Sequence, residues 1–283
     1  MNTFGDRDQD DSSIDIAGDV HIALGNALSI ILIGLVLFSL ALAWLHHSFW
    51  CYGIDKDNIP ASFFDLDSES TIASWFASMQ WFSIALSSFI VYFLEGLSAR
   101  RYPERFRYRF WWLVTALVFL VASADEIAMI HETAGELLGP WFMTRGIGGG
   151  IWSYFRESPW LVFYALPLSG FILFTLWFLS DRLKQVTKSL YLCASGYAFF
   201  IFALVIEFVQ GLPAEKLLPL AITFQTTCAR FYAGSVLVEE TLENLGSAFV
   251  LVSFLTYCRY LLGAIGSVSK RAPEQEPNEV PGE

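Results

Sequence analysis

The chain has 283 residues, 55% of them hydrophobic and 16% charged, with a formal net charge of −11. Soluble domains carry about 25% charged residues, and here the apolar residues fall in long blocks, which excludes a water-soluble globular fold and predicts an all-α polytopic membrane bundle of about six transmembrane helices. Much of the negative charge sits at the two ends, so it marks solvated tails and no nucleic-acid partner.

In chain order, residues 1–21 form an acidic tail (Asp6, Asp8, Asp10, Asp11, Asp15, Asp19) that is expected to be disordered. The first span, 22–50, contains no Lys, Arg, Asp or Glu from Ala23 to Trp50 and closes on His46 and His47; His21 stands just before it. It is too long for a signal-peptide core and is read as a retained helix. An acidic loop, Cys51–Ser70, leads to the second span, 71–97. An arginine-rich loop follows, and then the third span, 110–139. Arg145-Gly-Ile-Gly-Gly-Gly150 lacks the strand–helix setting of a phosphate loop and reads as a flexible turn. The fourth and fifth spans cover 158–180 and 189–211. The apolar segment within Gly211–Arg230 is expected to lie flat on the outer surface as an amphipathic helix. The sixth span covers 232–262, and 267–283, with Pro273, Pro277 and Pro281, is a second disordered tail.

Lys and Arg accumulate on the cytoplasmic side of membrane proteins. Arg100, Arg101, Arg105, Arg107 and Arg109 fall on one side of a six-span bundle with Arg182, Lys184, Lys188, Arg259, Lys270, Arg271 and Arg7. Both termini are therefore expected to be cytoplasmic, in a bacterial inner (plasma) membrane. Trp44, Trp50, Trp75, Trp111, Trp112, Trp141, Trp160 and Trp177 lie near span ends and read as an aromatic belt at the headgroups.

Ionisable residues within the spans carry the chemical signal, because a carboxylate in the bilayer is costly and usually faces the bundle interior. The third span carries Asp125, Glu126, His131, Glu132 and Glu136; the fifth carries Glu207; the sixth carries Glu239, Glu240 and Glu243. On a straight helix Asp125, Glu132 and Glu136 fall within about 40° of one another, and Ala124, Ala128, His131 and Gly135 continue the arc. Glu126 points elsewhere, and Glu240 is marginal. Glu239 and Glu243 are neighbours one turn apart, beside Gly246 and Ser247. Counted from the cytoplasmic ends, Asp125, Glu243, Glu207 and Glu239 lie roughly 22 to 30 Å along their helices, in the outer half of the membrane. The first, second and fourth spans are expected to wrap this centre.

So many acids at one depth cannot all be ionised and unpaired. Arg230 is the nearest basic candidate. Some acids are protonated, or a cation neutralises several. A divalent metal ion would be held by Asp125, His131, Glu132, Glu239 and Glu243, with Glu207 as a supporting group or catalytic general base. Ca²⁺ or Mg²⁺ would take the oxygens alone, whereas Zn²⁺ or iron would use His131. The Glu-x-x-His pairs of dinuclear carboxylate bundles are absent. Three functions suit these residues: a metal-dependent membrane enzyme acting on a lipophilic substrate, a cation- or proton-coupled transporter, and a non-catalytic subunit of a membrane complex. Membrane lipid is the expected partner. Cys51 and Cys228 fall on the outer side, where a disulfide would tie two loops; Cys193 and Cys258 lie near the inner ends. No internal repeat, histidine-rich box or Gly-x-Ser-x-Gly elbow is present.

Overall fold

A computed structural model describes residues 8–51, 63–66, 68, 71–99, 107–145 and 160–269. They form eight helices: α1 (Asp8–Cys51), α2 (Ile72–Ala99), α3 (Phe110–Ala128), α4 (Ile130–Thr144), α5 (Trp160–Leu183), α6 (Thr187–Gln210), α7 (Ala214–Thr223) and α8 (Cys228–Ser269). Among the described residues, six stretches are long and apolar enough to cross a membrane, in α1, α2, α3, α5, α6 and α8. The protein is an all-α polytopic bundle. Six crossings put Asp8 and Ser269 on one side, the terminal face; Cys51, Ile72, Thr144, Trp160, Gln210 and Cys228 lie toward the opposite, far face.

The ends differ from expectation. α1 begins at Asp8, so helix replaces most of the disordered segment expected over 1–21. Once a span is nucleated each added residue gains a hydrogen bond, and acids at a helix N-terminus favour its dipole. α8 continues to Ser269. Residues 1–7 and 270–283 lie outside the described residues, as does 146–150 of the glycine-rich turn.

Local sequence explains several boundaries. Thr71 caps α2: Ser74 N–H donates to Thr71 Oγ1 at 3.2 Å and Thr71 N–H to Ser74 Oγ at 2.9 Å, a reciprocal pair that satisfies two otherwise orphaned donors. On the far face Leu66 N–H donates to His46 Nδ1 at 3.0 Å, pinning the first loop to the end of α1. The apolar outer segment forms α7, which buries Leu217 and Ala221 and exposes Leu218 and Ile222. Cys228 carries a free thiol; the side chain of Cys51, its expected partner, lies outside the described residues.

Lipid gives no hydrophobic drive for helix pairing, so small residues and interhelical hydrogen bonds must supply it. α6 and α8 run antiparallel. Ser189 and Ser253 exchange hydroxyl bonds to each other's carbonyl oxygens at 2.8 and 2.7 Å. Two turns further along, Gly196 and Gly246 meet backbone to backbone: a Cβ on Gly196 would lie 2.8 Å from Gly246 O. α2 and α3 repeat the device, with Ser78 Oγ donating to Ser123 O at 2.7 Å and Ser123 Oγ to Ser78 O at 2.9 Å. Ser253→Ala is expected to cost about 1 kcal/mol, measured by reversible unfolding in mixed micelles, whereas Ser180→Ala on the exposed side of α5 should leave stability unchanged.

Two expectations need correction. The second span is central and does not merely wrap the bundle: α2 packs on α3 and α8, and its Gln80 Nε2 donates to Asn244 Oδ1 at 3.0 Å. Trp112 is no belt residue. It is wholly buried, with its ring against Phe254 (5.2 Å), Phe178 (5.3 Å) and Tyr257 (5.8 Å). Its face of α3 meets other helices, where burying a large ring is most favourable. Trp44, Trp75, Trp141 and Trp177 are exposed, as an anchoring belt requires.

Candidate acid–histidine centre at a broken span

The helix expected over 110–139 is two helices. α3 ends at Ala128, and Met129 adopts a left-handed conformation (φ 50°, ψ 41°) while its N–H still reaches Asp125 O at 2.8 Å. α4 restarts at Ile130. A non-glycine residue in this region costs on the order of 1–2 kcal/mol. Asp125 offsets it. Its Oδ1 accepts the His131 N–H at 2.8 Å, as an N-cap does for a new helix, and its Oδ2 lies 2.8 Å from His131 Nδ1. On an unbroken helix these residues would point about 120° apart; the break brings them together.

The break also changes which acids share a face. Glu132 and Glu136 are exposed on α4, whereas Asp125 is half-buried. The straight-helix wheel placed them together because it carried the phase of α3 through Met129. Trp160, expected at the headgroups, packs edge-on against His131 with ring centroids 4.7 Å apart. Gly135 makes this possible, because a Cβ there would lie 2.7 Å from Trp160 N. α3 and α5 therefore clamp the imidazole between the Asp125 carboxylate and an indole.

The antiparallel register of α6 and α8 supplies the opposite wall. Beyond the Gly196–Gly246 crossing, Glu207 and Gln210 near the end of α6 meet Glu239 of α8. Glu239 is 5% exposed; its Oε2 accepts Gln210 Nε2 at 2.8 Å, and its carboxyl lies within hydrogen-bonding reach of that of Glu207. Glu243, one turn on, faces Glu207, His131 and Asp125. Asn244 turns toward α2, donating to Glu240 O at 2.9 Å while accepting from Gln80.

Among the described residues no Lys or Arg forms an ion pair with these acids; Arg230 is exposed at the start of α8. The only cationic candidate in the group is His131. Two carboxyls this close repel unless a proton or a cation lies between them. As they stand, no three His, Cys, Asp or Glu side chains among the described residues converge closely enough to hold a metal ion. Both Asp125 oxygens are engaged in orienting His131, which leaves His131 Nε2, Glu207, Glu239 and Glu243 as the groups turned to chemistry.

Gln80 and Gln210 were not singled out from the sequence, and Trp160 was assigned to the aromatic belt. The two amides had a signal: an uncharged polar side chain in an apolar span must also find a partner.

A family model described as a domain of unknown function, DUF8692, matches residues 29–258. The chain belongs to the DUF8692 family. The match runs from α1 to α8, so the DUF8692 domain includes every member of the acid–histidine centre. No curated protein and no solved structure matches the chain.

Proposed function

We propose that this DUF8692 protein is a proton-coupled membrane carrier. Glu207, Glu239 and Glu243 exchange protons, and His131, held by Asp125, supplies the balancing charge. The broken third span carries this reading. Non-helical backbone at membrane depth is tolerated where it borders a cavity or a binding site, and carriers place coupling ions beside such breaks. Here the break lies next to a carboxyl pair close enough to share a proton, in a group with no Lys or Arg partner. Gain or loss of that proton changes the charge between α4, α6 and α8 by one unit, a difference large enough to favour one helix arrangement over another. By the distribution of Lys and Arg the terminal face is cytoplasmic, so the centre lies in the outer half of a bacterial inner membrane.

A second reading has its own support. His131 Nδ1 bonded to a carboxylate leaves Nε2 oriented as a ligand, the arrangement common around catalytic metals. A divalent ion replacing the shared proton would draw on His131, Glu239 and Glu243. Glu207 would then act as general base on a lipophilic substrate, with membrane lipid close by. This reading requires side chains to close around the ion.

Infrared difference spectra at neutral pH test the first reading without knowledge of a substrate. The wild type is expected to show a protonated-carboxyl stretch that Glu239→Gln and Glu207→Gln each remove. A wild type lacking that band would overturn it. One divalent ion per chain, retained on dialysis and lost in His131→Ala, would decide for the enzyme. A metal-free protein with the band rules against the enzyme and favours the carrier.

A further inference from the structure

A second buried acid lies in the other half of the bundle. Glu95, near the terminal end of α2, is wholly buried, and its Oε1 accepts the Tyr257 hydroxyl at 3.0 Å. Polar atoms lie between it and the acid–histidine centre. Ser78 meets Ser123 across the antiparallel α2–α3 pair. At about 1.5 Å per residue, Ser88 on α2 and Trp112 on α3 lie equally far along from that contact, and hence level with each other. Both are wholly buried, and Ser88 Oγ and Trp112 Nε1 have no hydrogen-bond partner among the described residues. Nearer the centre, Gln80 is 3% exposed and its Oε1 is likewise unpartnered. Its amide nitrogen is tied to Asn244, the neighbour of Glu243. On the other side, the Trp112 ring stacks on Tyr257, which holds Glu95.

An indole N–H that can only donate, a hydroxyl that can do both and an amide oxygen that can only accept are a matched set for water. Buried polar groups left without protein partners are normally bridged by it. Along α2, Gln80 to Ser88 is about 12 Å and Ser88 to Glu95 about 10 Å, gaps of roughly three water molecules each at hydrogen-bond spacing. Ile84 and Val91, both wholly buried in the apolar core, stand in these intervals, so water joining the polar groups has to pass beside them.

We propose that α2, α3 and α8 enclose an internal water path that carries protons between the acid–histidine centre and the terminal face. Its stations are Gln80 Oε1, the Ser88 Oγ–Trp112 Nε1 pair and the Tyr257–Glu95 pair. Each proton taken up at Glu95 is matched by one delivered to the Glu243 side, or the reverse, and no other bond changes. The role of the path rests on the proton-coupled reading above, but the presence of its water does not.

Radiolytic hydroxyl labelling of the full chain in lipid nanodiscs tests the water directly, because bound water generates the radical beside the residue it modifies. Trp112 is expected to be labelled in the wild type despite its burial. Ser88→Ala, which removes only the oxygen, and Ser88→Val, which also fills the space, are expected to cut Trp112 labelling several-fold and leave exposed Trp177 unchanged. A wild-type Trp112 that stays unlabelled, or labelling indifferent to both Ser88 variants, would overturn the path. In liposomes holding a pH dye under a potassium diffusion potential, Ser88→Val and Glu95→Gln are each expected to slow proton entry several-fold. Unchanged entry in both would overturn the proton role. Labelled Trp112 in a protein with no protonated-carboxyl band would sink the carrier reading while keeping the water.

Discussion

Asp125→Ala is expected to lower stability by about 2 kcal/mol and to abolish whatever the acid–histidine centre does. It deletes the cap on α4, worth about 1 kcal/mol, and the charge-assisted contact to His131 Nδ1, worth about as much at a partly exposed site. His131 then loses both its orientation and its counter-ion. Asp125→Asn retains an oxygen for the cap but presents an amide N–H₂ to the ring, so it should keep most of the stability and still impair the centre. Thermal unfolding and the carboxyl infrared band read the two effects separately. Met129→Gly is the companion test of the break itself. Glycine adopts φ 50° without steric cost, so the substitution is expected to hold or raise stability by up to about 1 kcal/mol. In an unbroken helix the same change would cost about 1 kcal/mol, and that result would refute the broken span.

Gly196→Ala should produce the second large effect. The added methyl lies 2.8 Å from Gly246 O and 2.6 Å from Val250 Cγ2. One of these neighbours is backbone, so α6 and α8 must separate. Overpacking of this kind costs roughly 1–3 kcal/mol. The separation acts on the centre as well, because α6 and α8 carry Glu207, Gln210 and Glu239, and their hydrogen bonds tolerate little displacement. The expected outcome is a lower unfolding temperature together with a shifted or broadened carboxyl band. Gly234→Ala, on α8 with nothing within 4 Å of the new Cβ, should be neutral or slightly stabilising. Equal effects at the two glycines would show that the α6–α8 approach is not what holds the centre.

The sequence makes the reasons for these effects only partly visible. Gly246 and Ser247 beside Glu239 and Glu243 announce a packed polar face, because small residues and acids on one side of a span suit nothing else. Glu207 falls at their depth by counting alone. The partners do not follow from counting. Whether Glu207 bonds Glu239 or Glu243 depends on the register set by Ser189–Ser253 and Gly196–Gly246. The straight-helix wheel over 110–139 fails because a single residue, Met129, changes the helical phase, and methionine has no local preference for the left-handed region. Trp112 misled for a similar reason: a tryptophan near a span end faces headgroups or core according to which side of its helix meets a neighbour.

The sequence by itself determined that this chain is a multi-span helical membrane protein, and it marked Asp125, His131, Glu207, Glu239 and Glu243 as residues too costly to face lipid. Those properties belong to runs of residues and single side chains in an apolar solvent, and need no neighbour to be read. Only the tertiary structure decided that the third span breaks at Met129, that Asp125 spends both oxygens on His131, and that α2 stands at the centre of the bundle. The place of α2 depends on contacts between helices distant in sequence, and the break rests on a local backbone conformation that residue type alone does not prescribe. In lipid such contacts are chosen by close packing and hydrogen bonds, which hydropathy does not record.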